Sequence, residues 1–309
     1  MQPTDVYVDL PMTQLSVAYH NEELVAEKIF PAIPVDYPTG IYYKWDKSNL
    51  RTPPDSSRTG GSKTKEVSQE LTSVPYGPLT EHALKARVNK DTVNFAMAPL
   101  QPRIKATNLV TEQLLLEKEL KLATKLTDAT QVTQNVTLSG TAQWSDYTNS
   151  DPLPTIQGWT DTIKQNSLKM PNTLVMGYQV WSKLKNHPKL IDRIKYTSKQ
   201  SLSMDDFAAL LNMDPSRVMV AGSEVNQTSE GLADNLQFIW GKNVWLMYVN
   251  PTPEIDSVSA GYHLQLSTGR YIDGWYDNDR KSDYVRSTDY YDSKIVCPEA
   301  IFGGYSVIA

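Results

Sequence analysis

Residues 103 to 128 constrain the chain more than any other stretch, because their apolar side chains recur with the period of an α-helix. Leu109, Leu116, Leu120 and Ala123 make one stripe, and Leu115, Leu122 and Leu126 make a second beside it. Glu112, Glu117, Lys118, Glu119, Lys121 and Lys125 fill much of the remaining surface, the pattern of a helix with a watered side. At ~1.5 Å per residue, about 25 residues give a rod on the order of 37 Å long, enough to cross a domain. A core helix of any α/β enzyme has the same periodicity, so the rod fixes architecture and not activity. At 309 residues the chain also exceeds the usual size of one compact core, and two domains or an elongated multi-lobed subunit are expected.

What precedes the rod is unlike a core. Residues 1 to 45 read as an extended arm, with alternating Val6, Val8 and Leu10, a short helix within 15–28, and a break at Phe30-Pro-Ala-Ile-Pro34. Residues 46 to 66 hold almost no large apolar side chains and are rich in Gly, Pro and Ser, so they cannot build a core. Their flanks, Ile41 to Trp45 and Glu66 to Val74, alternate like two strands, which predicts a long hairpin with a wide tip. Arg51, Arg58, Lys63 and Lys65 make that tip basic on an otherwise acidic protein.

Behind the rod the pattern is α+β. A helix from about Pro154 carries Ile156, Trp159 and Ile163, and Thr173 to Met176 form an apolar strand. Gly177 turns the chain into a helix with Val180, Trp181 and Leu184 on one side, ended near Pro188 by His187, a position that favours a cationic ring. Ser203-Met-Asp-Asp206 resembles a capping box, Arg217 to Gly222 is strand-like, and Leu236 to Trp240 is expected to pair with Val244 to Val249 around Gly241-Lys-Asn243. The C-terminal part is β-rich and Tyr-rich, through Tyr262 to Leu266, Arg270 to Tyr276 and Lys294 to Cys297.

Chemistry is sparse. His20, His82, His187 and His263 are widely separated, and neither a His-Glu-x-x-His pair, a P-loop nor a Gly-x-Ser-x-Gly elbow occurs. The single cysteine, Cys297, excludes an intrachain disulfide and reads as a small buried residue. The acidic series Asp273, Asp277, Asp279, Asp283, Asp289 and Asp292 is the nearest approach to a hard-cation site. Lys281 and Ser282 break the calcium-loop spacing and Arg280 and Arg286 are interleaved, so a solvated, self-neutralising segment is expected, with no metal and no cofactor. A metal-assisted hydrolase using these aspartates, and a β-rich carbohydrate-binding module using the C-terminal aromatics, are the two alternatives. A net charge of −5 argues against a protein that grips a phosphate backbone, and no apolar run of eighteen residues could span a bilayer. The N-terminal ten residues lack the pattern of a secretory signal, which points to the cytoplasm.

One block carries a resemblance. Pro171-Asn-Thr-Leu-Val-Met-Gly-Tyr-Gln-Val-Trp-Ser-Lys-Leu-Lys-Asn-His-Pro-Lys-Leu190 is similar to a recurring block in the major capsid proteins of tailed bacteriophages. It is preceded by Leu138-Ser-Gly-Thr-Ala-Gln-Trp-Ser-Asp146 and Ser150-Asp-Pro152, and followed by Phe238-Ile-Trp-Gly241 and Met247-Tyr-Val-Asn-Pro251, in the order and spacing of that family. The resemblance implies an α+β, Hong Kong 97-like phage capsid fold: an N-terminal arm (1–45), an extended β-hairpin loop (46–75), a peripheral domain (76–153) holding the spine helix (103–128), an axial domain (154–253), and C-terminal strands returning to the peripheral domain (254–309). It implies a structural, non-enzymatic head protein that self-assembles through hexamers and pentamers into an icosahedral shell in the virion, built in the host cytoplasm. DNA would be held by enclosure; scaffolding, portal and decoration proteins are the other implied partners, and no membrane is involved. In that family the hairpin lies across the adjacent subunit, which makes Arg51, Arg58, Lys63 and Lys65 the candidate inter-subunit contacts.

Overall fold

The computed structural model describes residues 7–19, 21, 23–44, 55–61, 63–66, 72–95, 101–194, 202–226, 228, 231–252 and 257–309. The arm differs from its sequence reading. Strand β1 (Tyr7–Val8) leads into helix α1 (Leu10–Ala18), which starts where Asp9 Oδ1 accepts the Met12 amide at 3.1 Å and Pro11 occupies the first turn. A second short helix, α2 (Ala26–Ile29), follows only after an irregular bend, so the helix expected within 15–28 is two pieces. The bend exists because the amides of Val25 and Ala26 are drawn to the Glu119 carboxylate instead of to helix carbonyls. Strands β2 (Ala32–Val35) and β3 (Gly40–Lys44) close the arm. β4 (Thr72–Tyr76) pairs antiparallel with β3, Tyr42 opposite Val74, forming the base of the expected hairpin; residues 45–54, 62 and 67–71 lie outside the described residues.

Strand β5 (Thr80–Asn89) and helix α3 (Lys90–Phe95) precede the long helix α4 (Pro102–Thr127), which matches the predicted rod to within a residue at each end. Leu115, Leu122 and Leu126 are buried as expected, with Ala123, but the rest of the pattern differs. Leu109 and Leu120 are 54% and 39% exposed, whereas Thr107, Thr111, Lys118 and Glu119 are buried. The spacing of Leu115, Glu119, Leu122 and Leu126 is 4, 3 and 4, so the stripe itself passes through Glu119.

From there the chain runs through β6 (Asn135–Thr137), α5 (Pro152–Ser167), β7 (Thr173–Gly177), α6 (Tyr178–Leu184), α7 (Pro188–Ile194), α8 (Met204–Leu210), β8 (Val218–Ala221), β9 (Glu224–Asn226), β10 (Leu236–Phe238) and β11 (Val244–Met247). It ends with β12 (Gly261–Leu266), β13 (Tyr271–Asp277), β14 (Ser282–Ile295) and β15 (Ile301–Tyr305). Ser203 does cap α8 as a reciprocal box with Asp206. α6 stops at Leu184, short of Pro188 as expected, and Pro188 then opens α7, which its fixed φ suits at a first turn. One expectation fails. β10 pairs with β9, not β11, because β11 is already taken on both edges by β7 and β15.

Two large sheets organise the molecule. The five-stranded one runs β6-β15-β11-β7-β8, and its central β7 and β11 are buried throughout. Alternation divides its side chains between two cores. Leu174, Met176, Val244 and Leu246 face α5 to α8 with Trp144, Ile156, Trp159 and Phe207, whereas Val175, Trp245 and Met247 face α2 and the end of α4 with Phe30, Leu122 and Leu126. Trp245 Nε1 and Tyr305 Oη both donate to the Leu126 carbonyl at 2.9 Å, satisfying an acceptor the helix end leaves open. The six-stranded sheet is built on β14, flanked on one edge by β13 and β12 and on the other by β5, with β1 and β2 outermost. The C-terminal segment therefore divides. β12 to β14 join this sheet, whereas β15 and its neighbour β6 belong to the five-stranded one, where buried Ile301 sits opposite Met247.

Candidate functional site

At the hairpin tip Arg58, Lys63 and Lys65 are exposed, while Arg51 lies outside the described residues. Local polar bonds give the tip its form in place of a core: Arg58 Nη1 donates to Thr64 Oγ1 at 3.3 Å, and Lys65 Nζ to the Asp55 carbonyl at 2.5 Å. Ser57 donates its hydroxyl and amide to Asp55, which holds that carboxyl below its usual range. At the hairpin's base an apolar cleft of about 320 Å³ separates Ile41, Tyr42 and Tyr76 from Val35, Tyr262 and Leu264 of the six-stranded sheet.

The C-terminal aspartates do not converge. Asp273 is buried and accepts from Arg286 at both oxygens, Nε to Oδ1 at 2.9 Å, and this bond raises the guanidinium's pKa. Asp289, also buried, accepts from Gln265 Nε2 at 2.8 Å, and Asp283 pairs with Arg103 at 3.1 Å. Asp292 bridges Lys125 and Lys294 at 2.8 and 2.7 Å. Asp277 and Asp279 alone fit the solvated reading, Asp277 Oδ1 capping the β13–β14 turn by accepting the Asp279 amide at 3.0 Å. The others lie on β13 and β14, where pairing and packing replace the solvated segment that was expected. Among the described residues no group of three His, Cys, Asp or Glu is placed to hold a metal ion.

The densest buried polar site is one the sequence reading missed. Glu119 accepts the Ala26 amide at 2.7 Å, the Val25 amide at 3.1 Å and Trp240 Nε1 at 2.5 Å. Burial pushes its carboxyl up, and these donors pull against that rise. One carboxylate thus fastens the arm to the spine helix and to the loop entering β11. Beside it Lys118 meets Glu27 at 3.0 Å and lies 5.0 Å over the Tyr291 ring. His263 Nε2 donates to the Ala26 carbonyl at 3.1 Å while Nδ1 accepts from Ser293 Oγ at 2.7 Å, and burial lowers its pKa far below the ordinary value. His187 is also buried, its Nε2 3.1 Å from Ser150 Oγ, and burial lowers its pKa, which overturns the expected cationic helix end. Cys297 is buried as expected, its thiol pushed up to about 12 by burial.

Gly177, inside the block that carried the resemblance, is required by a close approach: a Cβ there would lie 2.0 Å from the Gly241 carbonyl oxygen. That ties the Phe238-Ile-Trp-Gly241 segment to the strand–helix block in space. The family described as phage major capsid protein E matches residues 115–249, the span containing both segments. A major capsid protein of Burkholderia phage BcepMu is 26% identical over 293 residues, covering 92% of this chain and 91% of that one. The chain is similar to phage major capsid proteins over nearly its whole length. A phage-related protein from Bordetella bronchiseptica, known from a crystal structure, superposes with a TM-score of 0.78 at 26% identity, covering 97% of each chain. The capsid of cyanophage P-SCSP1u shares the fold at a TM-score of 0.62 and 8% identity, over 93% of this chain and 89% of that one. The architecture is the α+β Hong Kong 97-like capsid fold, and the relatives it resembles are structural capsid proteins.

Proposed function

We propose that this chain is the shell-forming subunit of a phage head, a structural protein whose activity is association with its own copies. The observation that carries the reading is the similarity to a phage major capsid protein over nearly the whole of both chains. Physical features agree with it. Among the described residues the hairpin tip has no apolar cluster to fold around and carries exposed cations, and Leu10, Val17 and Phe95 are 68%, 62% and 82% exposed. Repeated heterologous contacts around rings would close hexamers and pentamers into an icosahedral shell.

Further parts of the reading are that assembly takes place in the host cytoplasm and that DNA is retained by enclosure. Scaffolding, portal and decoration proteins are its other candidate partners, and Arg51, Arg58, Lys63 and Lys65 are candidate contacts to a neighbouring subunit. The test is light scattering of the purified chain across salt and concentration, alone and with the scaffolding protein of its own source. Large regular particles are expected. Persistent monomers under all of these conditions would overturn the reading.

A further inference from the structure

The apolar cleft at the base of the hairpin has a built interior. Its floor is one face of the six-stranded sheet, where Ile33 and Val35 of β2 lie beside Leu264 and Tyr262 of β12, and where Lys294 of β14 stands opposite Tyr262. Alternation along β2 fixes this, since Ile33 and Val35 are half-buried while Ala32 and Pro34 are exposed. The roof is Ile41, Tyr42 and Tyr76 of the β3–β4 pair, a two-stranded sheet of its own among the described residues. It is tied at its foot, where the Leu79 amide donates to the Pro38 carbonyl at 2.8 Å. The space between, about 320 Å³, is that of a small-ligand site.

Two polar groups break the apolar lining. Tyr262 is only 5% exposed, and its hydroxyl has no hydrogen-bond partner among the described residues, an arrangement that folded proteins seldom tolerate. Lys294 donates to Asp292 at 2.7 Å, but that carboxylate also holds Lys125 at 2.8 Å. Two ammonium groups thus share one carboxylate, which leaves positive charge in surplus at the cleft. The field of Lys294 reaches the roof as well, where it works against the burial that raises the pKa of the Tyr42 phenol.

An occupant complementary to this lining has an apolar body and a single anionic head. If each carbon takes about 30 Å³, the share of a water in the liquid, the space holds roughly ten of them. We propose that the cleft binds a small amphipathic carboxylate, its hydrocarbon chain lying between β2–β12 and the hairpin base and its head at Lys294 and the Tyr262 hydroxyl. The hydroxyl donates to the carboxylate, and Lys294 keeps Asp292 while gaining a second acceptor, which an ammonium with its three protons permits. A bound chain touches strands on both sides of the cleft and so fastens the hairpin base to the sheet. The proposal concerns the single subunit and stands apart from the shell reading.

The test is calorimetric titration of the dispersed full-length chain at neutral pH with sodium octanoate, 1-octanol and sodium acetate, which supply chain and head, chain alone and head alone. Octanoate should bind at one site, octanol several-fold more weakly, and acetate not measurably. Lys294→Met should weaken octanoate by a factor of roughly three to ten while leaving octanol unchanged, and Tyr262→Phe should act in the same direction. Ile33→Trp, which fills the cleft from the outermost strand, should abolish binding of both. Thermal unfolding of each variant checks its fold, and Val35→Trp replaces Ile33→Trp if that chain unfolds. The proposal is overturned by a parent that shows no saturable octanoate binding, by octanol binding as tightly as octanoate, or by an octanoate affinity indifferent to Lys294→Met. Undiminished binding to the folded tryptophan variant overturns it too. So does uptake at many equivalent sites, because the chain would then be dissolving on apolar surface at large. No titration depends on assembly, so failure here leaves the shell reading untouched.

Discussion

Replacing Glu119 with Gln tests the junction that joins arm, spine helix and five-stranded sheet. The Val25 and Ala26 amides and the Trp240 indole can only donate, and the carboxylate accepts all three, at 3.1, 2.7 and 2.5 Å. An amide of the same shape has one oxygen. With that oxygen towards Trp240 its NH₂ faces the Ala26 amide, and turned over it faces the indole, so one buried donor is orphaned either way. An orphaned buried donor costs about 1–3 kcal/mol. Relief from burying the charge works in the other direction, since burial already pushes the Glu119 carboxyl up, so the loss should lie within that range and not above it. The assay is urea unfolding of the dispersed subunit followed by tryptophan fluorescence, for which Trp240 and Trp245 lie at the site, their rings 5.1 Å apart. Trp240→Phe removes one donor, so Glu119→Gln should cost less in that background than alone, a positive coupling in the double-mutant cycle. A Gln variant as stable as the parent, or strictly additive costs, would refute the assignment of Glu119 as the shared acceptor.

Gly177→Ala should destabilise the subunit by about 1–3 kcal/mol in the same urea assay, since a backbone carbonyl must move to admit the new methyl; an unchanged midpoint would mean that the approach of Gly241 is looser than 2.0 Å implies. Asp273→Asn and Asp279→Asn should separate: the first leaves half-exposed Arg286 without its carboxylate and costs about 1–3 kcal/mol, whereas the second stays within about 0.5 kcal/mol, and calorimetric titration with calcium or magnesium should show no tight binding lost in either. His263 stays neutral in the fold because burial, then Lys118, then Lys125 oppose its charge more than the Ala26 carbonyl and Asp292 favour it. Its folded pKa is depressed, so its contribution to stability is present above the ordinary 6.5 and lost as pH falls through the depressed value; the thermal midpoint should drop on acidification, less steeply in His263→Gln, and equal slopes would contradict this.

Much of the architecture was written where one period ruled a long stretch. The α4 rod, the Thr173 to Gly177 strand with its following helix, and the Ser203 cap each depend on neighbours in sequence, and each formed. β14 was illegible because both of its edges and most of its side chains are covered, including polar Ser282, Ser287, Thr288 and Asp289, so no apolar alternation marks it. The pairing of β10 failed for a related reason: Gly241-Lys-Asn243 looks like a tight hairpin, but partners 70 and 58 residues away in sequence, Val175 and Gly303 on either side of Trp245, hold the edges of β11. Glu119 could have been found. Its place at the 4-3-4 spacing of Leu115, Leu122 and Leu126 was visible, and charge alone placed it wrongly on the solvent side. The cleft under the hairpin could not, because Ile33, Tyr76, Tyr262 and Lys294 meet only through tertiary packing.

The most direct test of the shell reading is electron cryomicroscopy of particles formed by the purified chain. The account predicts closed icosahedral shells in which each subunit shows the long α4 helix and the two large sheets. Discrete monomers or dimers in every condition, with the source's scaffolding protein present, would contradict the central claim.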